Sequence, residues 1–207
     1  MATGIKIYND AGTVQIDESY ANLVLVDKQT ITISTPVTTA YDYTCSGDVV
    51  AVAVKVYPET FITKSAQFTG TGWVYRFLFF NNPDTTGTCT FTVYAFAKPP
   101  AATETVGLKV LNASGSLVFH SQFKPLRIIA VNSNASGYTG PGGRDLAAMF
   151  LTMSLYSVVL FPSTVYESDT LRITGNVIQH SRIQIGTPAI AGINTTGLYA
   201  AVDVTNY

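Results

Sequence analysis

Histidine is the side chain best suited to pass a proton near neutral pH or to hold a transition metal, and this chain carries two, His120 and His180. They fall in two separate β-prone stretches, and for each the residues around it predict a surface position on an exposed strand face. The spacing alone is compatible with a His120–Asp–Ser relay, but it does not single one out. The carboxylates are scattered. Asp17 and Glu18 follow a predicted strand, and Glu167 and Asp169 flank a predicted turn. A glycosidase needs two carboxylates facing each other across a cleft, one with a raised pKa. Glu167 and Asp169 read instead as a polar connection between strands. Cys45 and Cys89 have no histidine near them in sequence and so form no zinc motif. The opening MATGIKIYND lacks the charged and apolar regions of a secretory signal, so both cysteines are expected as free thiols. No catalytic residue, metal site or cofactor is expected.

The stretch YTGPGGR at 138–144 is glycine-rich. A phosphate-cradling loop would need Gly-Lys-Ser/Thr and a following helix, and neither is present in the pattern. The wider segment 132–144 has no strand alternation and reads as a long loop, the usual place for recognition on a rigid β scaffold. Tyr138 and Arg144 supply a stacking ring and a forked donor there, as sugar or protein recognition requires. A subunit-contact loop is the other reading of the same residues. Asn112, Asn134 and Asn194 each begin an Asn-x-Ser/Thr triplet, a common pattern in a Ser/Thr-rich chain.

Composition narrows the class. Charged residues are 12% of the 207 and hydrophobic ones 47%, with a net charge of −1. That charge content is low for a globular surface and predicts a protein partly covered by neighbours. No basic stripe marks a nucleic-acid partner. The longest apolar run, 147–162, is broken by Thr152, Ser154 and Ser157 and is too short for a membrane-spanning helix, so no membrane insertion is expected.

These residues are positioned by a unit that occurs twice. GIKIYNDAGTVQIDESYANLVLV at 4–26 returns without a gap as GLKVLNASGSLVFHSQFKPLRII at 107–129, an offset of 103 residues. Gly4/Gly107, Lys6/Lys109, Asn9/Asn112, Gly12/Gly115 and Leu23/Leu126 are identical, and Ile5/Leu108, Ile7/Val110, Val14/Leu117, Ile16/Phe119, Tyr20/Phe123, Leu25/Ile128 and Val26/Ile129 exchange one apolar residue for another. Alternation of period two around an Asn/Gly turn predicts a strand, a tight turn and a second strand, followed by a third extended run. Further alternating runs at 30–35, 41–45, 49–57, 73–80 and 89–97 predict short strands, and 62–68 a less regular one. The row Trp73, Tyr75, Phe77 and Phe79 predicts a core face. Paired prolines in 98–103 mark a boundary. The second half aligns with the first through 161–175, 175–184 and 198–204, with Tyr199 set against Tyr94; the start of 147–160 also fits one helical turn. The expected fold is all-β: two tandem, similar sandwich-like domains at 1–98 and 107–207, joined by a linker at 99–106.

The doubled opening resembles a motif of tailed-bacteriophage virion proteins. It is carried by Gly4, Ile7, Asn9, Gly12, Val14, Ile16 and Asp17, and again by Gly107, Val110, Asn112, Gly115, Leu117 and Phe119. His120 departs from the motif at the position of Asp17. The resemblance implies a small β-rich component of a tail tip, baseplate or fibre that is structural and not an enzyme. It implies other phage tail proteins as partners, assembly into a homo-oligomer, contact with a host surface receptor, and a place in the virion tail after assembly in the host cytoplasm. It carries over no catalytic residue. A receptor- or carbohydrate-binding adhesion module is the alternative, and a tail-associated hydrolase stands behind both.

Overall fold

A computed structural model describes residues 6–8, 14–17, 22–35, 38–56, 60–81, 87–133, 136–152, 155–160, 163–186, 194–195 and 197–207. Every regular element among them is a strand. The first copy supplies β1 (Lys6–Tyr8), β2 (Val14–Asp17), β3 (Val24–Thr35), β4 (Thr38–Ser46), β5 (Val49–Val56), β6 (Thr60–Phe68), β7 (Gly72–Asn81) and β8 (Gly87–Ala97). The second supplies β9 (Lys109–Leu111), β10 (Leu117–His120), β11 (Ile128–Ser133), β12 (Tyr138–Thr139), β13 (Leu146–Thr152), β14 (Leu155–Leu160), β15 (Ser163–Thr174), β16 (Val177–Gly186), β17 (Asn194–Thr195) and β18 (Leu198–Asp203).

One antiparallel sheet runs β11-β18-β13-β5-β8-β3, and the other β12-β16-β15-β6-β7-β4, with β14 on β15 and β17 on β14. Exchanging the strands of one copy for those of the other turns each path into its own reverse. The molecule therefore has an internal pseudo-twofold axis. Each copy forms a three-on-three sandwich, and the two are joined edge to edge, with Ala148 opposite Val54 in one sheet and Leu171 opposite Ile62 in the other. The copies sit side by side, not in series. One hydrophobic cluster runs beneath both, from Phe77 and Phe91 to Leu171, Ile178 and Tyr199.

The repeat is reproduced down to its irregularities. In β1–β2, Lys6 faces Asp17, Ile7 faces Ile16 and Tyr8 faces Val14. In β9–β10, Lys109 faces His120, Val110 faces Phe119 and Leu111 faces Leu117. The extra residue falls at Gln15 in one hairpin and at Val118 in the other, 103 positions on. A second shared bulge occurs at Val26 in β3 and Ile129 in β11. A bulge bends a strand and re-aims its side chains, so its recurrence fixes the same corner in both units. The motif residues of the second copy show why they are kept. The Asn112 side-chain oxygen accepts from the backbone N–H groups of Ser114 and Ser116, closing the turn, and Gly115 takes a φ of 81° there. Gly107 has a φ of 136°, and a Cβ on it would run into the Ser121 hydroxyl. Leu23 and Leu126 meet near the axis, where the Leu126 N–H donates to the Leu23 carbonyl at 2.7 Å.

Packing follows the alternation of each strand. Phe91, Val93 and Ala95 of β8 point inward, and the Phe91 ring stacks on Phe79 of the opposite sheet with centroids 4.4 Å apart. Tyr75, Phe77 and Phe79 form the expected core row, with Trp73 half-buried at its end. The central strands of the six-stranded sheet are buried on their outer face too, where Ala53, Tyr94, Phe96, Ala147, Met149, Ala200 and Val202 lie under Leu23, Leu25, Leu126 and Tyr207.

Three details of the sequence reading change. The start of 147–160 is strand β13, not a helical turn. Both of its faces are buried, which erases the alternation that marks a half-exposed strand. The extended run near Leu23 and the strand at 30–35 are one continuous β3. Tyr199 is equivalent to Val93, and Tyr94 to Ala200, because β3 and β11 hold them at matching register. A slip of one residue exchanges the two faces, which is why Tyr199 points inward and Tyr94 outward.

A shared core predicts shared unfolding. Leu171 lies in the second copy and Trp73, the one tryptophan of the chain, in the first. Leu171→Ala is expected to cost about 2–5 kcal/mol. In urea it should move the Trp73 fluorescence midpoint and the far-ultraviolet circular dichroism midpoint together. A tryptophan midpoint left in place would mean that the units unfold separately.

Candidate functional site

The expected binding loop is pinned along most of its length. Ser133 ends β11, and Tyr138 and Thr139 pair with Ile178 and Val177 as the short strand β12. The Ser136 carbonyl accepts from the Tyr199 hydroxyl at 3.2 Å. The Gly140 N–H donates to the Asn176 carbonyl at 2.8 Å, and the Asn176 side chain returns a bond to the Gly140 carbonyl at 2.7 Å. Tyr138 packs half-buried against the core. Arg144 reaches Asp203 at 2.8 Å. Residues 136–144 thus form a hydrogen-bonded rim with Tyr138 half-buried in it.

Beside this rim runs a notch of about 610 Å³, lined by Gly137, Tyr138, Thr139, Gln179, His180 and Ser181 among others. It forms because β12 covers only the first two residues of β16, leaving the rest of that edge open. The structure therefore brings His180 to the predicted loop, a proximity that the 42-position offset from Tyr138 hides in the sequence. An imidazole, an amide and two hydroxyls beside a phenol ring suit hydrogen bonding to a hydroxyl-rich ligand. Among the described residues that line the notch none is a carboxylate.

The other candidates are placed elsewhere. His120 is only 3% exposed, contrary to the surface position expected from the alternation. Its Nδ1 accepts the Gln122 N–H at 3.2 Å, and its ring meets Phe123 edge-on. The short hairpin folds against residues 107 and 121–123, which buries a face that the strand pattern alone marks as open. Glu167 and Asp169 lie within β15, opposite Gln184 and Arg182 in register, and not beside a turn. They sit two positions apart on one strand. Cys45 and Cys89 are free thiols. Burial pushes the Cys45 thiol up, which keeps it protonated and unreactive near neutral pH. Among the described residues no group of His, Cys, Asp and Glu is arranged to hold a metal ion.

Further depressions lie among the described residues. One, of about 850 Å³, lies between the proline-bearing segment 98–102 and the β9–β10 hairpin. Another, of about 380 Å³, is an apolar mouth between the sheets, lined by Val50, Trp73, Tyr75, Met149 and Leu151 among others.

Among the described residues a dense charge network gathers at 203–207. Asp203, 3% exposed, lies 3.5 Å from Arg127 and 2.8 Å from Arg144. It also accepts the Thr205 N–H at 3.0 Å. Lys28 and Lys124 donate to the backbone oxygens of Tyr207 and Asn206 at 2.7 and 2.6 Å. The Tyr207 hydroxyl donates to the Pro125 carbonyl, and the Arg127 guanidinium lies 4.8 Å from the centre of its ring. Behind them, buried Lys55 pairs with Asp145 at 3.0 Å. This is a clasp: it ties residues of both copies together over the outer face of the six-stranded sheet.

Comparison with family models, with curated proteins and with solved structures gives no match.

The clasp has a pH signature. Burial pushes the Asp203 carboxyl up, but the hydrogen bonds from Thr205 and the charges of Arg127 and Arg144 outweigh it and hold the carboxyl below its ordinary value. A depressed folded pKa stabilises the fold above the ordinary carboxylate range near about 4, and that contribution is lost as pH falls through the folded value. Asp203→Ala is expected to cost about 1.5–3 kcal/mol at pH 7, the loss of hydrogen bonds to a charged group. Thermal melts of the two proteins should converge as pH falls below about 4. A gap that stays constant with pH would remove the charge from the account.

Proposed function

We propose that this chain is a non-enzymatic structural component of a bacteriophage tail, at the tail tip, baseplate or fibre, that acts by assembling with its neighbours. The observation that carries the reading is the doubled opening motif, whose second copy serves turns, bulges and contacts near the internal axis. Low charge and exposed Ile128, Val131, Leu151 and Leu198 on the six-stranded sheet support a surface made to be covered. In this reading the partners are other tail proteins and further copies of the same chain, and the protein is assembled in the host cytoplasm into the virion.

An image reconstruction of the intact particle tests this. Density for two three-on-three sandwiches side by side is expected within the tail; their absence from every tail component would end the proposal. Incubation of the purified protein with host envelope glycans is expected to leave them intact, and turnover would overturn the non-enzymatic reading.

The notch beside Tyr138 and His180 favours a second reading, a receptor- or carbohydrate-binding adhesion module. On that reading Tyr138→Ala lowers binding to host-surface glycans at least about tenfold, the loss of one stacking or hydrogen-bonded contact. Titration of immobilised glycans measures it, and equal binding by the two proteins rejects the notch as the site.

A further inference from the structure

The two units differ most at the outer edges of the six-stranded sheet, and the difference has a direction. β3 ends the sheet on one side and β11 on the other, and the pseudo-twofold makes them equivalent. On β3 the chain places Asp27, Lys28, Gln29, Thr30, Thr32 and Ser34, and all but Asp27 are exposed. Lys28 also lies over the Tyr94 ring, 5.7 Å from its centre. Charged and polar residues of this kind are how a sheet edge is kept from pairing with another chain. The position equivalent to Lys28 on β11 is Val131, and the position equivalent to Asp27 is Ala130. Ile128, Ile129 and Val131 are exposed at 48%, 37% and 56%, and Leu198 of neighbouring β18 at 41%.

The remaining sheet ends are protected in other ways. On β4, Asp42 and Arg76 form a two-pronged ion pair at 2.7 and 2.6 Å. β12 is two residues long. Among the described residues of the four strands that end the two sheet paths, β11 exposes Ile128, Ile129 and Val131, whereas β3 exposes one large apolar side chain, Val26.

We propose that the β11 edge is the contact through which two copies of this chain associate, antiparallel and about a twofold axis, extending the six-stranded sheet across both. Three observations select a second copy as the occupant. An antiparallel strand paired with itself is self-complementary, so one patch serves both sides of a twofold contact. The molecule already joins sandwich units in this way, edge to edge about its internal axis at β5 and β13, and β11 lies in the same sheet. The apolar residues sit on the edge whose equivalent in the first unit carries the protecting charge, so the unprotected edge is specific to one end of the chain. The proposal names the self-contact within the assembly reading above, yet it concerns the isolated protein and stands or falls without a tail.

Sedimentation equilibrium of the full chain across a dilution series tests it. A concentration-dependent dimer is expected. Val131→Lys gives β11 the residue type that its twin already carries. Because Val131 is exposed, the thermal midpoint should equal the wild-type value at a dilution where both proteins are monomeric. The substitution places two lysines in one twofold contact and should raise the dimer dissociation constant at least about a hundredfold. Thr32→Lys on β3 should leave it unchanged. A wild-type chain that is monomeric throughout the series overturns the proposal. So does a dimer unaffected by Val131→Lys, or one weakened equally by Thr32→Lys.

Discussion

The central strands of the six-stranded sheet have no polar face, and the rest of the molecule answers that constraint. β5, β8, β13 and β18 send apolar side chains both inward and outward. The second sheet covers the inner face. The outer face is covered by two crossing segments near Leu23 and Leu126 and by the closing residues up to Tyr207. Burying a side chain such as Phe91 or Leu171 contributes roughly 1.5–3 kcal/mol, but the outward-facing residues deliver theirs only while the cover is in place. Small residues at Ala53, Ala147 and Ala200 let those crossing segments approach closely.

The polar contacts act as locators for that cover. Tyr43 donates to Asp27 at 2.7 Å from the opposite sheet, and burial together with this bond pushes the phenol well above its usual range. Lys55 with Asp145, and Asp203 with its two arginines, hold the closing segment at one place. In each pair one partner is buried and the other partly exposed, so losing the exposed partner leaves a buried charge unpaired, which is costly. Such pairs therefore discriminate between arrangements of the covering segments more than they strengthen any one of them.

Much of the fold was legible because its information is local. A turn needs Asn112 and Gly115 at fixed spacing, and a half-buried strand needs alternation, so the repeated opening and most strands could be read directly. What was hidden depends on distant partners. β13 lost its alternation because both faces are covered. Burial of His120 follows from the way its hairpin folds against neighbouring residues. Tyr94 and Tyr199 look equivalent as letters, but sheet register places them on opposite faces. Tyr138 was singled out from its loop, whereas its proximity to His180 depends on the β12–β16 pairing, which leaves no mark on either segment alone. Fusion of the two units into one core is of the same kind, since the edges that join, β5 with β13 and β6 with β15, read as ordinary apolar strands.

The internal twofold also bears on how such a chain comes to be. Two like units that pair edge to edge have the form of a dimer whose subunits have been tied into one polypeptide. A tether about as short as residues 99–106 sets an effective concentration in the millimolar range, so their union becomes a unimolecular step that dilution does not undo. The tie also releases the halves from identity. In a true dimer every substitution appears twice, whereas here Lys28 and Val131 occupy the same place in two units and differ. Duplication thereby gives a symmetric scaffold two ends that are no longer alike.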